Sequence, residues 1–164
     1  MELILADERA TASVGSALAR ALPDLTRERL LLGLSGELGS GKTTMARGLL
    51  RALGVAGTIR SPTFTLVEPY VTARGHIFHI DLYRLEPGAP ALEGIGFRDL
   101  RGAPGLVIVE WPERAGSALG TQDLAAQLAL SGNGRSLVLA PGSAAGRSWL
   151  DATRALLEES LVST

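Results

Sequence analysis

The sequence predicts a three-layer α/β sandwich in which a mixed, mainly parallel sheet lies between helices. Two observations favour this class: short apolar runs alternate with amphipathic helical segments, and a glycine-rich turn joins one such run to a helix. With 164 residues, 46% of them hydrophobic and 20% charged, the chain can bury a sizeable core. It contains no repeat and no long linker, so residues 1–164 are expected to form a single domain.

In the first third of the chain, strand and helix patterns alternate. A short apolar strand at 1–5 precedes a helix that begins at residue 7 or 8 and ends before Pro23. The continuous apolar run at 30–34 is typical of a strand that is covered on both faces. A second helix is predicted over 43–53, because its apolar positions recur at helical spacing up to a glycine.

Beyond residue 60 the pattern is richer in strands. Two pairs of strands, at 66–71 with 76–82 and at 124–130 with 136–139, flank turn-forming residues and are predicted to be hairpins. The remaining predicted features are a proline-rich interruption of regular structure at 87–90, short helices within 92–100, a buried strand at 106–109 and a C-terminal helix at 148–159. The C-terminal helix is expected to close the sandwich.

Composition excludes several classes of function. The net charge of -1 and the pI near 6.1 argue against a broad cationic surface for DNA or RNA. The absence of cysteine excludes disulfides and thiolate chemistry. No apolar run is long enough to cross a bilayer, and the first residues lack a signal-peptide pattern. We therefore expect no membrane partner and a cytoplasmic protein.

The segment 36–43, GELGSGKT, fits the pattern G-x-x-x-x-G-K-[ST] at every fixed position. Its glycines allow backbone N–H groups to surround a phosphate, and the following helix directs its positive end at the same anion. Lys42, the single lysine among 16 basic residues, can reach the β and γ oxygens. The Thr43 hydroxyl can bind Mg²⁺. This pattern predicts nucleotide binding on a P-loop NTPase fold.

Two carboxylates are candidates for the metal side of such a site. Glu110 directly follows the apolar run 106–109, at the strand end where open α/β sheets bind ligands. Asp81 shares one face of an alternating strand with His79 and Tyr83. That polar face can be the wall of a site or simply a solvated surface. Either His76 or His79 could act as a general base, but a structural role is the commoner one for a single histidine in a strand.

Four segments together resemble the bacterial TsaE family: GELGSGKTT at 36–44, SPTFTLV at 61–67, HIDLYRLE at 79–86 and VEWPER at 109–114. Their order and spacing match, and the resemblance covers about residues 3–140. Residues 141–164 carry no family motif and form the predicted C-terminal helical extension. The segment between Glu86 and Leu100 also departs from the family, since it is less acidic and richer in proline and glycine.

The resemblance implies a small Mg²⁺-dependent ATPase, converting ATP to ADP and phosphate, that serves N6-threonylcarbamoyladenosine synthesis in tRNA. This modification lies beside the anticodon of tRNAs that decode ANN codons. A protein of this family docks on a TsaB–TsaD complex and sustains its turnover without transferring the group itself. Its hydrolysis alone is weak, and it meets tRNA indirectly, through the complex.

The resemblance also implies roles for individual residues. The catalytic set is Lys42, Asp81 and Glu110, with Asp81 beside the metal and the γ-phosphate. Thr43 and Glu110 are the implied Mg²⁺ ligands. The implied nucleotide-binding residues are Thr11, Gly39, Ser40, Gly41, Lys42, Thr43, Thr44, Thr63, Trp111 and Arg135.

Three other functions remain open at this stage. A small-molecule or nucleoside kinase would share the size, fold and loop, but it usually carries an arginine-rich lid, and the arginines between 72 and 101 are scattered. A nucleotide-gated binding module would use hydrolysis only to reset a surface. Direct tRNA binding by the chain alone is disfavoured by its charge balance.

Overall fold

A computed structural model of the protein describes residues 1–86 and 89–162. Its strands are β1 (Glu2–Leu5), β2 (Arg29–Ser35), β3 (Val67–Thr72), β4 (Gly75–Asp81), β5 (Gly105–Glu110), β6 (Leu124–Ser131) and β7 (Gly134–Pro141). Its α-helices are α1 (Glu8–Arg20), α2 (Lys42–Ala52), α3 (Ala89–Gly94), α4 (Phe97–Gly102) and α5 (Ala144–Val162). A 3₁₀ helix spans Pro112–Leu119.

The strands form one mixed sheet in the order β1-β7-β6-β2-β5-β4-β3. The four central strands, β6, β2, β5 and β4, run parallel to one another. The outer pairings, β1–β7, β6–β7 and β3–β4, are antiparallel, and two of them are the predicted hairpins. The structure thus confirms a mixed sheet with a parallel centre.

The buried strand β2 divides the core into two layers. Its residues Leu30, Leu32 and Leu34 pack with the layer of α1, α2 and α5, whereas Leu31 packs with the layer that contains Leu92 and the 3₁₀ helix. The run is apolar throughout because both faces of the strand are covered. This arrangement confirms the three-layer sandwich.

The helix α1 lies directly against α2, which carries the end of the glycine-rich loop. The approach depends on glycine: a Cβ atom at Gly15 would overlap the carbonyl oxygen of Met45, and one at Gly48 would overlap that of Ala12. The missing side chains let the two backbones come close, so α1 supports the loop from behind.

Three regions differ from the prediction or extend beyond it. The C-terminal helix begins at Ala144 instead of 148, because Ser143 Oγ accepts the Gly146 N–H at 3.0 Å and donates to Asp123 at 2.6 Å. No sequence pattern predicts the 3₁₀ helix at Pro112–Leu119. The interruption predicted at 87–90 is wrong for residues 89 and 90, which belong to α3, and residues 87 and 88 lie outside the described ranges. Within the described ranges, none of the helices has the length and apolar character needed to span a bilayer.

Candidate functional site

The glycine-rich loop connects β2 to α2 in a conformation that requires glycine. Gly36, Gly39 and Gly41 have φ values of 134°, 80° and 109°, a region that other residues rarely adopt. The helix α2 begins after Gly41 without a side-chain cap, which leaves the N–H groups of its first turn available. The loop and this helix end therefore form a concave surface suited to an anion.

Lys42 extends its ammonium group over the loop. Its Nζ donates to the carbonyl oxygens of Gly36 at 2.7 Å and Glu37 at 2.8 Å, and it lies 3.9 Å from the centre of the Trp111 ring. Burial lowers the pKa of Lys42 below its ordinary value of 10.5, although the nearby carboxylates, Glu110 foremost, act in the opposite direction. The ammonium is thus held by neutral groups that a phosphate can replace.

Glu110 ends β5 and is buried, with 2% of its surface exposed. The hydroxyl of Thr43, in the first turn of α2, lies 3.0 Å from Glu110 Oε1 and 2.9 Å from Oε2. His79 on β4 places its Nε2 atom 2.8 Å from Oε1. The carboxylate is therefore held between the loop helix and a neighbouring strand.

Asp81 ends β4, directly opposite Glu110 in the register of the parallel strands β4 and β5. Its Oδ2 accepts hydrogen bonds from Ser61 and, at 3.2 Å, from Thr63, while Oδ1 accepts the Tyr83 N–H at 2.8 Å. With 4% of its surface exposed, Asp81 is not on a solvated face. It connects the loop at 61–65 to the sheet.

Aromatic side chains form the rim of the site. The ring centres of Tyr83 and Trp111 are 4.9 Å apart, and the backbone of Trp111 has a φ of 61°. Near the site, Phe64 of the loop 61–65 is 84% exposed, and the guanidinium of Arg84 lies 4.3 Å from its ring centre. The pair Tyr83 and Trp111 therefore gives the site an aromatic edge, in contrast to the carboxylates inside.

A pocket of about 280 Å³ brings most of the sequence-predicted residues together. The ones that line it are Gly39, Gly41, Lys42, Thr43, Thr44, Thr63, Asp81, Glu110, Trp111 and Arg135. A larger cavity of about 860 Å³, beside α3 and α4, is lined by none of them. The smaller pocket has the chemistry of a functional site because charged and hydroxyl groups converge there.

Two of the predicted nucleotide-binding residues, Thr11 and Ser40, do not line the pocket. Thr11 is fully buried on α1, where its hydroxyl donates to the Asp7 carbonyl at 3.1 Å. Its methyl group faces Gly41, so closely that a Cβ atom there would lie 3.3 Å away. Ser40, within the loop, is also fully buried, and its Oγ has no hydrogen-bond partner within the described residues. Thr11 therefore supports the loop from α1, and Ser40 is buried inside the loop.

Several residues of the site have no role that the sequence predicts. Ser61, which holds Asp81, lies in the segment SPTFTLV but carries no predicted role, and the same is true of Glu8 and Leu38, which line the pocket. His79 does have a signal, since period-two alternation places it on the same strand face as Asp81. Its contact with Glu110 depends on which strand lies beside β4.

The donor set fits a magnesium–nucleotide complex. The Thr43 hydroxyl and the Glu110 carboxylate are adjacent oxygen donors of the kind that Mg²⁺ prefers. In the described part of the chain, no group of three or more His, Cys, Asp or Glu side chains could hold a metal ion. A cation here would therefore depend on phosphate oxygens and water for its other ligands, which is usual for Mg²⁺ bound with a nucleotide.

The loop, its helix and the parallel strands beside them define a protein with the P-loop NTPase fold. The family model for "Threonylcarbamoyl adenosine biosynthesis protein TsaE" matches residues 5–137. The chain belongs to this family, as the four motifs predict.

Named relatives support this assignment, and a solved structure shares the fold. A TsaE protein of Haemophilus influenzae is 34% identical over 147 residues, covering 89% of this chain and 92% of the relative. A TsaE protein of Aquifex aeolicus is 41% identical over 115 residues, covering 69% and 77%. The crystal structure of YdiB from Bacillus subtilis superimposes with a TM-score of 0.74, covers 94% of each chain and is 19% identical, which shows a common fold.

Proposed function

We propose that this protein binds ATP with Mg²⁺ at the glycine-rich loop and hydrolyses it to ADP and phosphate in support of tRNA threonylcarbamoyladenosine biosynthesis. The main support for this reaction is the hydrogen bonding of the Thr43 hydroxyl to the Glu110 carboxylate, close to the ammonium of Lys42. The biological setting rests on family membership and on the names of the relatives.

In this proposal the loop binds the phosphates. Lys42 exchanges the carbonyl oxygens of Gly36 and Glu37 for phosphate oxygens, which are stronger acceptors for an ammonium group. The N–H groups at the start of α2 contact the same anion. Arg135 also lines the pocket, where it adds positive charge near Gly41.

Thr43 and Glu110 are the proposed protein ligands of Mg²⁺. The bound ion would neutralise phosphate charge during transfer to water. Asp81 is proposed to act beside the γ-phosphate, where its carboxylate can orient water. Because Asp81 also holds Ser61 and Thr63, any change at the γ-phosphate would reach the loop 61–65 directly.

We further propose that the protein acts with a TsaB–TsaD complex and meets tRNA only through it, in the cytoplasm. The net charge of -1 fits a protein that does not hold tRNA on its own. Hydrolysis by the isolated chain is expected to be weak, with stimulation by the partners.

The test is steady-state ATP hydrolysis by the protein alone and with TsaB–TsaD, compared with Lys42→Ala and Glu110→Ala. Weak activity that the complex stimulates, and that both substitutions remove, would support the proposal. A small-molecule acceptor that becomes phosphorylated, without any response to TsaB–TsaD, would instead establish a kinase.

A further inference from the structure

His79 is the most deeply buried titratable side chain at the site. Its exposed fraction is 0%, and its Nε2 lies 2.8 Å from Oε1 of Glu110. Its other ring nitrogen, Nδ1, has no hydrogen-bond partner within the described residues. Its one polar side-chain contact there is therefore with Glu110.

This pattern differs from that of a histidine that only completes the core. A buried polar group costs free energy unless it is bonded, so a structural histidine is expected to satisfy both nitrogens. Here one nitrogen is left unpaired, and the other is directed at a buried carboxylate. Because a carboxylate accepts hydrogen bonds, the geometry assigns the ring hydrogen to Nε2.

The register explains why the contact exists. In the parallel pair β4–β5, His79 lies opposite Ile108, and Asp81 lies opposite Glu110. The imidazole of His79 thus extends along the strand toward the carboxyl end to reach Glu110. It holds the carboxylate from β4, whereas Thr43 contacts both oxygens from α2.

Both contacts are compatible with a bound cation. A Thr43 hydroxyl can direct a lone pair at Mg²⁺ and still donate its one hydrogen to a single Glu110 oxygen. The Nε2–H of His79 donates to Oε1 without contacting the ion. His79 is therefore a second protein group that fixes the rotamer of Glu110.

We propose that His79 is a positioning residue that orients the Glu110 carboxylate for a divalent cation bound together with a nucleotide. The inference rests on the proposed Mg²⁺–nucleotide site. Hydrogen-bond partners of metal ligands commonly contribute 10- to 100-fold to metal affinity. Loss of the His79 bond is therefore expected to weaken the Mg²⁺-dependent part of nucleotide binding by about tenfold or more.

The test measures ADP binding by calorimetry in excess EDTA and across a Mg²⁺ titration, so it does not depend on turnover. His79→Leu is expected to raise about tenfold the Mg²⁺ concentration at which half of the Mg²⁺-dependent gain in ADP affinity is reached. The ADP affinity in EDTA should stay unchanged. His79→Gln, whose amide N–H can reach the same carboxylate, is expected to restore most of the wild-type dependence.

A double substitution separates this role from a general loss of structure. If His79 acts through Glu110, adding His79→Leu to Glu110→Ala changes the Mg²⁺ dependence no further. Thermal unfolding of each variant shows whether the fold is kept. Equal loss of ADP affinity with and without Mg²⁺, or no rescue by glutamine, would overturn the positioning role.

The wild-type titration distinguishes this inference from the proposed function. A wild-type protein that binds no nucleotide, or binds it with no dependence on Mg²⁺, overturns both. A wild-type protein with clear Mg²⁺ dependence that His79→Leu leaves unchanged overturns the inference alone.

Discussion

Asp81 and Glu110 lie opposite each other on adjacent parallel strands, yet hydroxyl groups from different parts of the chain bind their carboxylates. Glu110 is paired with Thr43 at the start of α2, whereas Asp81 is paired with Ser61 and Thr63 of the following loop. One acid is thus linked to the phosphate loop and the other to a segment that leads to the surface. Each link can be tested separately.

Asp81→Asn is expected to loosen the loop 61–65, because a neutral amide is a weaker acceptor than a carboxylate. Hydrogen bonds to charged groups contribute about 1.5–3 kcal/mol, so local opening should become about tenfold more frequent or more. Hydrogen exchange of the Leu66 amide, which bonds the Pro62 carbonyl, reports this opening. The matched control is Asp151→Asn, at an exposed position of α5, which should leave this exchange rate unchanged.

The lowered pKa of Lys42 predicts that nucleotide binding takes up a proton. Burial lowers the pKa in the free protein below 10.5, and a bound phosphate, being negative, raises it again. At a pH between these two pKa values of Lys42, the complex binds more protons than the free protein. The nucleotide affinity should therefore fall as the pH rises through this window. Calorimetry in buffers of different ionisation enthalpy measures the uptake.

The control for this effect is Lys42→Arg, because a guanidinium stays charged across the same range. The nucleotide affinity of this variant, whatever its magnitude, should not fall as the pH rises through this window. An equal slope in both proteins would assign the pH dependence to another group.

Intrinsic fluorescence should report nucleotide binding through Trp111. The protein has two tryptophans, and Trp149 is buried in the core, where its Nε1 donates to the Leu18 carbonyl at 2.9 Å. The Lys42 ammonium lies over the Trp111 ring. Its movement toward a bound phosphate would change the electric field at the indole, and with it the fluorescence. Trp149→Phe should keep the ADP-dependent change, and Trp111→Phe should remove it. The opposite result would contradict the predicted movement of Lys42.

Gly15→Ala should destabilise the protein by about 1–3 kcal/mol, the usual cost of overpacking. The new Cβ atom would overlap the backbone of α2 at Met45 and push the loop helix away from α1. Urea denaturation measures the free energy of unfolding. Gly102→Ala on α4 is the matched control: a Cβ atom there meets open space, so no loss of stability is expected.

Local patterns in the sequence were sufficient for most elements and for the glycine-rich loop, whereas Thr11 and Arg135 became candidates only through the family resemblance. The apolar run at 30–34 and the alternation at 76–82 correspond to β2 and β4, because side-chain periodicity follows from backbone geometry within a single segment. The glycine-rich loop was recognisable for the same reason, since its residues are consecutive. The predicted nucleotide and metal roles themselves stay predictions.

Tertiary structure alone decided which groups meet. Thr43, His79 and Glu110 come from three separate segments, and they converge because β5 lies between β2 and β4 with α2 across their ends. Adjacency of this kind depends on how distant apolar surfaces are buried together, which no local spacing encodes. The same reason explains why α5 begins early, since its first turn is capped by a serine that bonds Asp123 from another part of the chain.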